Sequence, residues 1–172
     1  MNGNVVILHF ESQYLYLHII AKLFCEADLL TSLCDDLDNQ DVKAFMEKVS
    51  NFFLGIPYEN AGEITEGYFR NHLRTLFCLF GIPNQCEIME ASQRVDIVAQ
   101  TARMALVFEL KMLGKEESDP EKKKRELLAE ALEQGRKKGY EEKYRNESQI
   151  VHTIGIVFDE KSRKVACWEQ GL

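Results

Sequence analysis

Residues 94–111 read Arg94-Val-Asp-Ile-Val-Ala-Gln-Thr-Ala-Arg-Met-Ala-Leu-Val-Phe-Glu-Leu-Lys111, two strand-like runs on either side of a short polar turn. Successive side chains of such runs lie on opposite faces of a sheet. With the turn at Thr101–Met104, Ile97 faces Phe108 across an antiparallel hairpin, and one face of the hairpin is apolar. A slip of one residue would move the apolar side chains to the other face, so the sequence specifies this register.

The second face of this hairpin carries Asp96, Glu109 and Lys111, and the same register puts Asp96 directly opposite Glu109. Two carboxylates that face each other across a strand pair lie about 5 Å apart at Cβ and repel one another. A hard divalent cation removes this repulsion, and Mg²⁺ or Mn²⁺ needs only one or two carboxylates from a protein. Beside such a cation, Lys111 can orient a water molecule or stabilise developing negative charge. The arrangement suits hydrolysis of a phosphodiester; the alternative is a solvated polar face with an ordinary cross-strand ion pair.

Helices and strands alternate around the hairpin from residue 63 onwards. Apolar residues at helical spacing predict a helix over Thr65–Phe80 and a longer helix from about Pro120 to Tyr144, with a charged loop at 114–124. Short apolar runs predict five strands, at Gln85–Met89, Arg94–Ala99, Ala105–Lys111, Ile150–Phe158 and Val165–Trp168. This order predicts an α/β (α+β) fold with a mixed central sheet and helices packed on its faces.

Residues 1–62 are predicted to form an N-terminal helical extension of the domain at 63–172. From about Phe10 to Leu54 the sequence has two apolar stripes at helical spacing. The acidic and amide residues between the stripes predict a turn and a helix N-cap: Asp35, Asp36, Asp38 and Asn39. The helices of this extension are also the expected contact surface for a protein partner or for self-association.

Charge distinguishes the two parts of the chain. The net charge is −7, and residues 1–62 carry −6 of it. Residues 63–172 are nearly neutral, so charge does not exclude nucleic acid as their partner but predicts weak, metal-dependent association. Five cysteines without a CxxC pair predict a reducing, cytoplasmic location. The first residues lack the basic region of a signal peptide and no apolar run is long enough for a membrane span, so we expect neither secretion nor membrane insertion.

At Asp96 and at Glu109-Leu110-Lys111, the sequence resembles the PD-(D/E)XK nuclease superfamily, whose signature is an acidic residue on one strand and (D/E)-x-K on the next. The predicted order of helix, three strands, helix and strand is also similar to the superfamily core. The chain looks most like the uncharacterised nuclease-like domains at the C-terminus of bacterial AAA-ATPase-like proteins. This likeness is carried by residues 62–69, 94–98, 107–111, 131–144 and 155–168. The resemblance implies a restriction-endonuclease-like core and cleavage of nucleic acid, with DNA as the expected substrate.

The resemblance also implies roles for individual residues. It implies Mg²⁺ or Mn²⁺ as the cofactor, held by Asp96, Glu109 and the backbone carbonyl of Leu110. The catalytic residues that it implies are Asp96, Glu109, Lys111, Gln134 and Glu66. A histidine that is common on the first core helix of the family is replaced here by Arg70. No GxxxxGK[ST] motif occurs in the sequence, so we expect no ATP site of the P-loop type in this chain.

A further set of residues is expected to contact the nucleic acid: Arg70, Arg136, Lys137 and Tyr140. The alternative for the basic residues of the long helix is i,i+4 pairing on a solvated face, with Glu121, Glu126, Glu130 and Glu133 as partners. Gln134 has a solvent-facing position as its alternative. Two functions therefore stay open, a metal-dependent nuclease and a catalytically silent nuclease-fold module that binds protein or nucleic acid.

Overall fold

The structure, a computed structural model, describes residues 27–56, 64–79, 81–82, 84–90, 93–137, 139, 144 and 150–171. Its helices are α1 (Ala27–Asp38), α2 (Val42–Leu54), α3 (Glu66–Leu79) and α4 (Pro120–Lys137). Its strands are β1 (Asn84–Glu90), β2 (Gln93–Gln100), β3 (Met104–Leu113), β4 (Ile150–Asp159) and β5 (Lys164–Gly171). All five predicted strands are present, and the predicted helix over 65–80 corresponds to α3.

The five strands form one mixed sheet in the order β1-β2-β3-β4-β5. Strand β3 runs parallel to β4, while the other neighbouring strands are antiparallel. In the central hairpin, Ile97 pairs with Phe108 and Gln100 pairs with Ala105, and the Thr101 N–H donates to the Met104 carbonyl at 2.8 Å. The predicted turn and the mixed sheet with flanking helices are therefore confirmed, and so is the register from Ile97↔Phe108 to Gln100↔Ala105. The predicted pairing of Asp96 with Glu109 is not among the described pairs.

Helices cover both faces of the hairpin, which corrects the prediction of one apolar and one polar face. Ile97 and Phe108 belong to the main core beneath α1, α2 and α3. On the opposite face, Val98, Ala105 and Val107 are also buried, because α4 packs against β3, β4 and β5 on that side. A central strand with helices on both faces is apolar in both directions. Polar residues on the second face are thus confined to the end of the hairpin, where the strands separate.

Aromatic rings join the N-terminal helices to the sheet. The Phe158 ring of β4 stacks on Phe69 of α3, with 4.0 Å between centroids, and meets Phe53 of α2 edge-on at 5.1 Å. All three rings are completely buried. Helix α2 thus shares its core with α3 and the sheet. The start of the predicted extension and its boundary at 62 and 63 lie outside the described residues, and the division into two domains stays a prediction.

The turn between α1 and α2 lies later than the acidic run suggests. Asp35, Asp36 and Asp38 belong to α1, so their assignment to the turn is wrong. The N-cap of α2 is Asp41, whose carboxylate accepts the Ala44 N–H at 2.9 Å. The acidic end of α1 is tolerated because Lys48 of α2 forms an ion pair with Asp36, which offsets an otherwise unfavourable charge at a helix C-terminus.

The N-cap gives a first stability prediction. We expect Asp41→Ala to lower the free energy of unfolding by about 1 kcal/mol, because it removes the acceptor for an N–H that has no intrahelical partner. Asp38→Ala is the matched control, since it removes an exposed carboxylate from the last turn of α1 and should be neutral or slightly stabilising. Urea unfolding measures both; equal losses of stability in the two variants would contradict the assigned cap.

Helix α4 is shorter than predicted at its C-terminal end. It begins at Pro120 as predicted, so the end of the predicted loop at 114–124 is helical instead, and the Asp119 carboxylate accepts the Lys122 N–H at 3.0 Å. It ends at Lys137, because Gly139 adopts a left-handed backbone with φ of +61°, a usual helix stop. The predicted helix to Tyr144 is therefore interrupted at Gly139; Tyr144 is itself helical, and residues 138 and 140–143 lie outside the described residues. Within the described ranges, no helix has the length and hydropathy needed to cross a bilayer.

Candidate functional site

The candidate site lies where β2 leaves β3. In the described pairs, the ladder between these strands runs from Gln100↔Ala105 to Ile97↔Phe108. Beyond it, the Asp96 carboxylate accepts the Leu110 N–H at 2.9 Å through Oδ2. The Glu66 carboxylate of α3 lies near Met112, two residues further along β3, and the backbone N–H of Met112 lowers the pKa of Glu66. N–H groups two residues apart point to the same edge of a strand, so both carboxylates lie at the edge of β3 that β2 leaves.

Positive charge at the site comes from α3 and β3. Arg70 of α3 donates from Nη1 to Oδ1 of Asp96 at 3.3 Å, and both side chains are mostly buried. Burial raises the pKa of Glu66, the positive charge of Lys111 lowers it, and the negative charge of Asp96 raises it again. The structure therefore brings together Glu66, Arg70, Asp96 and Lys111, which the sequence places on three separate elements.

Glu109 and Lys111 lie on the face of β3 that α4 covers. Glu109 is only 2 % exposed and pairs through its backbone with Gly155 of β4. The Lys111 ammonium forms an ion pair with Glu130 of α4 at 2.8 Å, and the lysine side chain is 15 % exposed. Two of the signature residues are thus held between the sheet and α4.

Glu130 is a further residue of the candidate site, and its role there was not predicted. Its Oε1 atom accepts from Nε2 of Gln134 at 3.3 Å and also contacts Lys111. Glu130 therefore connects Gln134, one helical turn later, to the lysine. The prediction of Glu130 as a partner for basic residues of its own helix is corrected by this contact with β3. Its position four residues before Gln134 was the available signal, since residues at this spacing share one helix face.

The basic residues at the end of α4 lie on the surface. Arg136 and Lys137 are exposed, and Lys137 pairs with Glu133 at 2.7 Å. Glu121 and Glu126 likewise pair with lysines of α4, as the alternative interpretation of this helix predicts. Tyr140 lies outside the described residues. Contacts of this surface with nucleic acid stay a prediction.

His72 belongs to α3 and lies on its buried face. Its Nδ1 donates to the Tyr68 carbonyl at 2.7 Å, and its ring lies 4.1 Å from the Tyr68 ring. Burial lowers the pKa of His72, although the hydrogen bond to Tyr68 raises it. The ring is therefore neutral at pH 7.

The donor chemistry of the site fits a hard divalent cation. Glu66, Asp96 and Glu109 provide carboxylate oxygens, the ligands that Mg²⁺ and Mn²⁺ prefer. The N–H and carbonyl of one strand residue point to the same edge, so the Leu110 carbonyl faces the edge at which its N–H meets Asp96. In the described part of the chain, no group of three or more acidic, histidine or cysteine side chains lies close enough together to hold a metal ion. Arg70 and the Leu110 N–H hold the Asp96 oxygens in this arrangement.

Comparisons with known proteins identify the family of this chain. The family model described as the PD-(D/E)XK nuclease superfamily matches residues 64–168, more than half of the chain and all the described site residues. A relative, the uncharacterized protein in the vnfD 5' region of Azotobacter chroococcum mcd 1, is 27% identical over 137 residues. The match covers 77% of this chain and 25% of the relative, so the chain spans about a quarter of the relative's length. No solved structure matches the chain significantly. With its signature residues on β2 and β3 and a family match over most of the fold, the chain belongs to the PD-(D/E)XK nuclease superfamily.

Proposed function

We propose that this protein is a divalent-metal-dependent nuclease that hydrolyses phosphodiester bonds in DNA. The observation that carries the proposal is the grouping of Glu66, Asp96 and Lys111 where β2 leaves β3. These residues come from three elements, and two of them occupy signature positions of the superfamily. An ordinary solvated face would not bury carboxylates beside backbone N–H groups and a lysine that is itself 15 % exposed.

In this proposal, Asp96, Glu109 and the Leu110 carbonyl hold Mg²⁺ or Mn²⁺. When bound, the ion neutralises charge on the phosphodiester and helps to activate the attacking water. Lys111 lies two residues after Glu109 on the same face of β3, and it stabilises negative charge that develops on the phosphate. Glu66 lies beside Lys111 and Asp96 and assists in orienting water. Gln134 acts through Glu130, which it contacts at 3.3 Å.

The substrate and the wider context belong to the same proposal. The near-neutral charge of residues 63–172 favours weak binding to DNA that strengthens when the cation is present. Arg136, Lys137 and Tyr140 are proposed to contact the phosphate backbone. We further propose that the chain corresponds to the C-terminal domain of bacterial AAA-ATPase-like proteins and acts in the cytoplasm, with its N-terminal helices as a protein-contact surface. The much greater length of its relative supports this context.

A cleavage assay with Asp96→Asn tests the proposal. Purified protein is incubated with linear, circular and single-stranded DNA, and with RNA, in Mg²⁺, in Mn²⁺ or in EDTA. We expect cleavage of DNA that needs the metal and falls by about 10²-fold or more in Asp96→Asn, because the variant loses a charged ligand.

Asp35→Asn is the matched control, since it makes the same change on the exposed surface of α1. It should cleave at the wild-type rate. Equal cleavage by the wild type and Asp96→Asn would identify a contaminating nuclease and overturn the assignment.

One observation favours the second candidate, a catalytically silent nuclease-fold module. The Arg70 guanidinium already neutralises Asp96, so this mostly buried carboxylate has a counter-ion even when no metal cation is bound. This candidate predicts no cleavage and no Mg²⁺ binding in the wild type, together with binding of DNA or protein that Asp96→Asn leaves unchanged. Calorimetric titration with Mg²⁺ distinguishes the two candidates before any substrate is known.

A further inference from the structure

Arg70 and Asp96 form a mostly buried ion pair at the candidate site. Nη1 of Arg70 lies 3.3 Å from Oδ1 of Asp96, and the two side chains are 13% and 15% exposed. The second oxygen of Asp96, Oδ2, accepts the Leu110 N–H at 2.9 Å. Both carboxylate oxygens therefore have a partner, and water screens the pair only weakly.

A divalent cation that approaches Asp96 meets the positive charge of Arg70 first. Two cations beside one buried carboxylate repel each other strongly, because the local dielectric constant is low. The Leu110 N–H carries no net charge, so it can stay in place while a cation binds another lone pair of Asp96. Arg70 is thus the group that has to move. Its contact with Asp96 is longer than the about 2.7–2.9 Å of a strong charge-assisted hydrogen bond.

The same helix offers Arg70 a second partner. Glu66 lies four residues earlier on α3, and residues at this spacing are neighbours on a helix face. The two charges already interact, since Arg70 lowers the pKa of Glu66. Gly67 leaves room for the guanidinium along the helix, because Nη2 of Arg70 lies 3.3 Å from the place where a Cβ on Gly67 would be. Rotation of the Arg70 side chain along this face of the helix can therefore bring its guanidinium closer to Glu66.

We propose that Arg70 is an internal counter-ion of Asp96 that a divalent cation displaces towards Glu66, so that Arg70 sets the metal affinity of the site. This inference rests on the proposed metal site at Asp96. Without metal, Arg70 spares the protein an unpaired buried carboxylate. With metal, the loss of the Arg70–Asp96 contact is offset by the ion and by the new contact with Glu66.

The first test is a calorimetric titration of Mg²⁺ into the wild type, Arg70→Gln and Arg70→Lys. We expect Arg70→Gln to bind Mg²⁺ about tenfold more tightly, which corresponds to about 1.4 kcal/mol, because the competing charge is gone. Arg70→Lys keeps the charge and should bind within about threefold of the wild type. Arg70→Gln should also have a lower Tm than the wild type without metal and a larger rise in Tm on adding Mg²⁺.

The second test measures the wild-type protein, so it does not require Arg70→Gln to fold without the ion pair. The Nε–Hε resonance of Arg70 is assigned in an NMR spectrum by its disappearance in Arg70→Lys. We expect this resonance to shift as Mg²⁺ is added, and Asp96→Asn to abolish the shift.

The outcomes separate the inference from the proposed function. Mg²⁺ binding with an unmoved Arg70 resonance and an unchanged affinity in Arg70→Gln overturns the inference and leaves the metal site standing. Binding by Arg70→Gln but not by the wild type supports the inference in its strongest form. Absence of Mg²⁺ binding in both proteins overturns the metal site and the inference together.

Discussion

Lys111→Met is expected to lower metal-dependent cleavage of DNA by about 10²–10³-fold, the usual cost of removing one group that stabilises transition-state charge. Water screens the positive charge of Lys111 only weakly, because its side chain is 15 % exposed and lies between β3 and α4. Methionine has a similar length and an apolar chain, so it fills the same space without the charge. Initial rates at saturating Mg²⁺ measure the effect, and an unchanged unfolding transition shows that the fold is intact.

Glu130 should act only through this lysine. It lies 2.8 Å from the Lys111 ammonium, so Glu130→Gln frees the lysine without removing it, and we expect a smaller loss of rate, about tenfold. When two residues act as one unit, the effects of their mutations on the rate do not add. The double variant Lys111→Met/Glu130→Gln should therefore be no slower than Lys111→Met alone.

Glu133→Gln is the matched control for Glu130. It makes the same change three residues later on α4, where Glu133 pairs with the exposed Lys137 on the surface. It should cleave DNA at the wild-type rate. Equal rates for Glu130→Gln and Glu133→Gln would show that the Lys111–Glu130 contact has no part in cleavage, and full activity of Lys111→Met would remove the lysine from the mechanism.

The central hairpin could be predicted because its signals are local. Alternation of period two, together with a short polar turn, leaves one register in which Ile97 and Phe108 face each other. The mixed sheet followed from the order of helices and strands. The second apolar face of the hairpin could not be predicted from the hairpin alone, since burial of Val98 and Val107 depends on where α4 packs.

The site was predictable only as far as a sequence pattern extends. Asp96, Glu109 and Lys111 stand at signature positions and lie on one face by alternation alone. The contact between Arg70 and Asp96 joins residues 26 positions apart on different elements, and no spacing rule predicts it. Glu130 has the sequence surroundings of an ordinary exposed helix position, and only the approach of α4 to β3 makes it a partner of Lys111.

That approach depends on Gly135, and we expect Gly135→Ala to destabilise the protein by about 1–3 kcal/mol. In an open helix, the same change would stabilise by about 0.5–1 kcal/mol, because alanine is the better helix former. Here a methyl group at Gly135 would overlap Cγ2 of Thr153 on β4 and lie 3.3 Å from its Oγ1. Thr153 is 5% exposed and branched at Cβ, so it has little freedom to turn away. The sign of the change in urea unfolding therefore tests how closely α4 packs on the sheet.

Thr153→Ser removes the methyl group that causes the overlap, and it provides the decisive comparison. We expect Gly135→Ala/Thr153→Ser to be more stable than the sum of the two single changes predicts, since residues in contact are not additive. Gly114→Ala is the control, because a Cβ at Gly114 meets nothing within 4 Å, and it should change stability little.

Cleavage should follow the same pattern: a shift of α4 in Gly135→Ala carries Glu130 away from Lys111, and Thr153→Ser restores both. A stabilising effect of Gly135→Ala would instead show that α4 does not pack closely on the sheet. It would then also contradict the contact by which Glu130 is proposed to position Lys111.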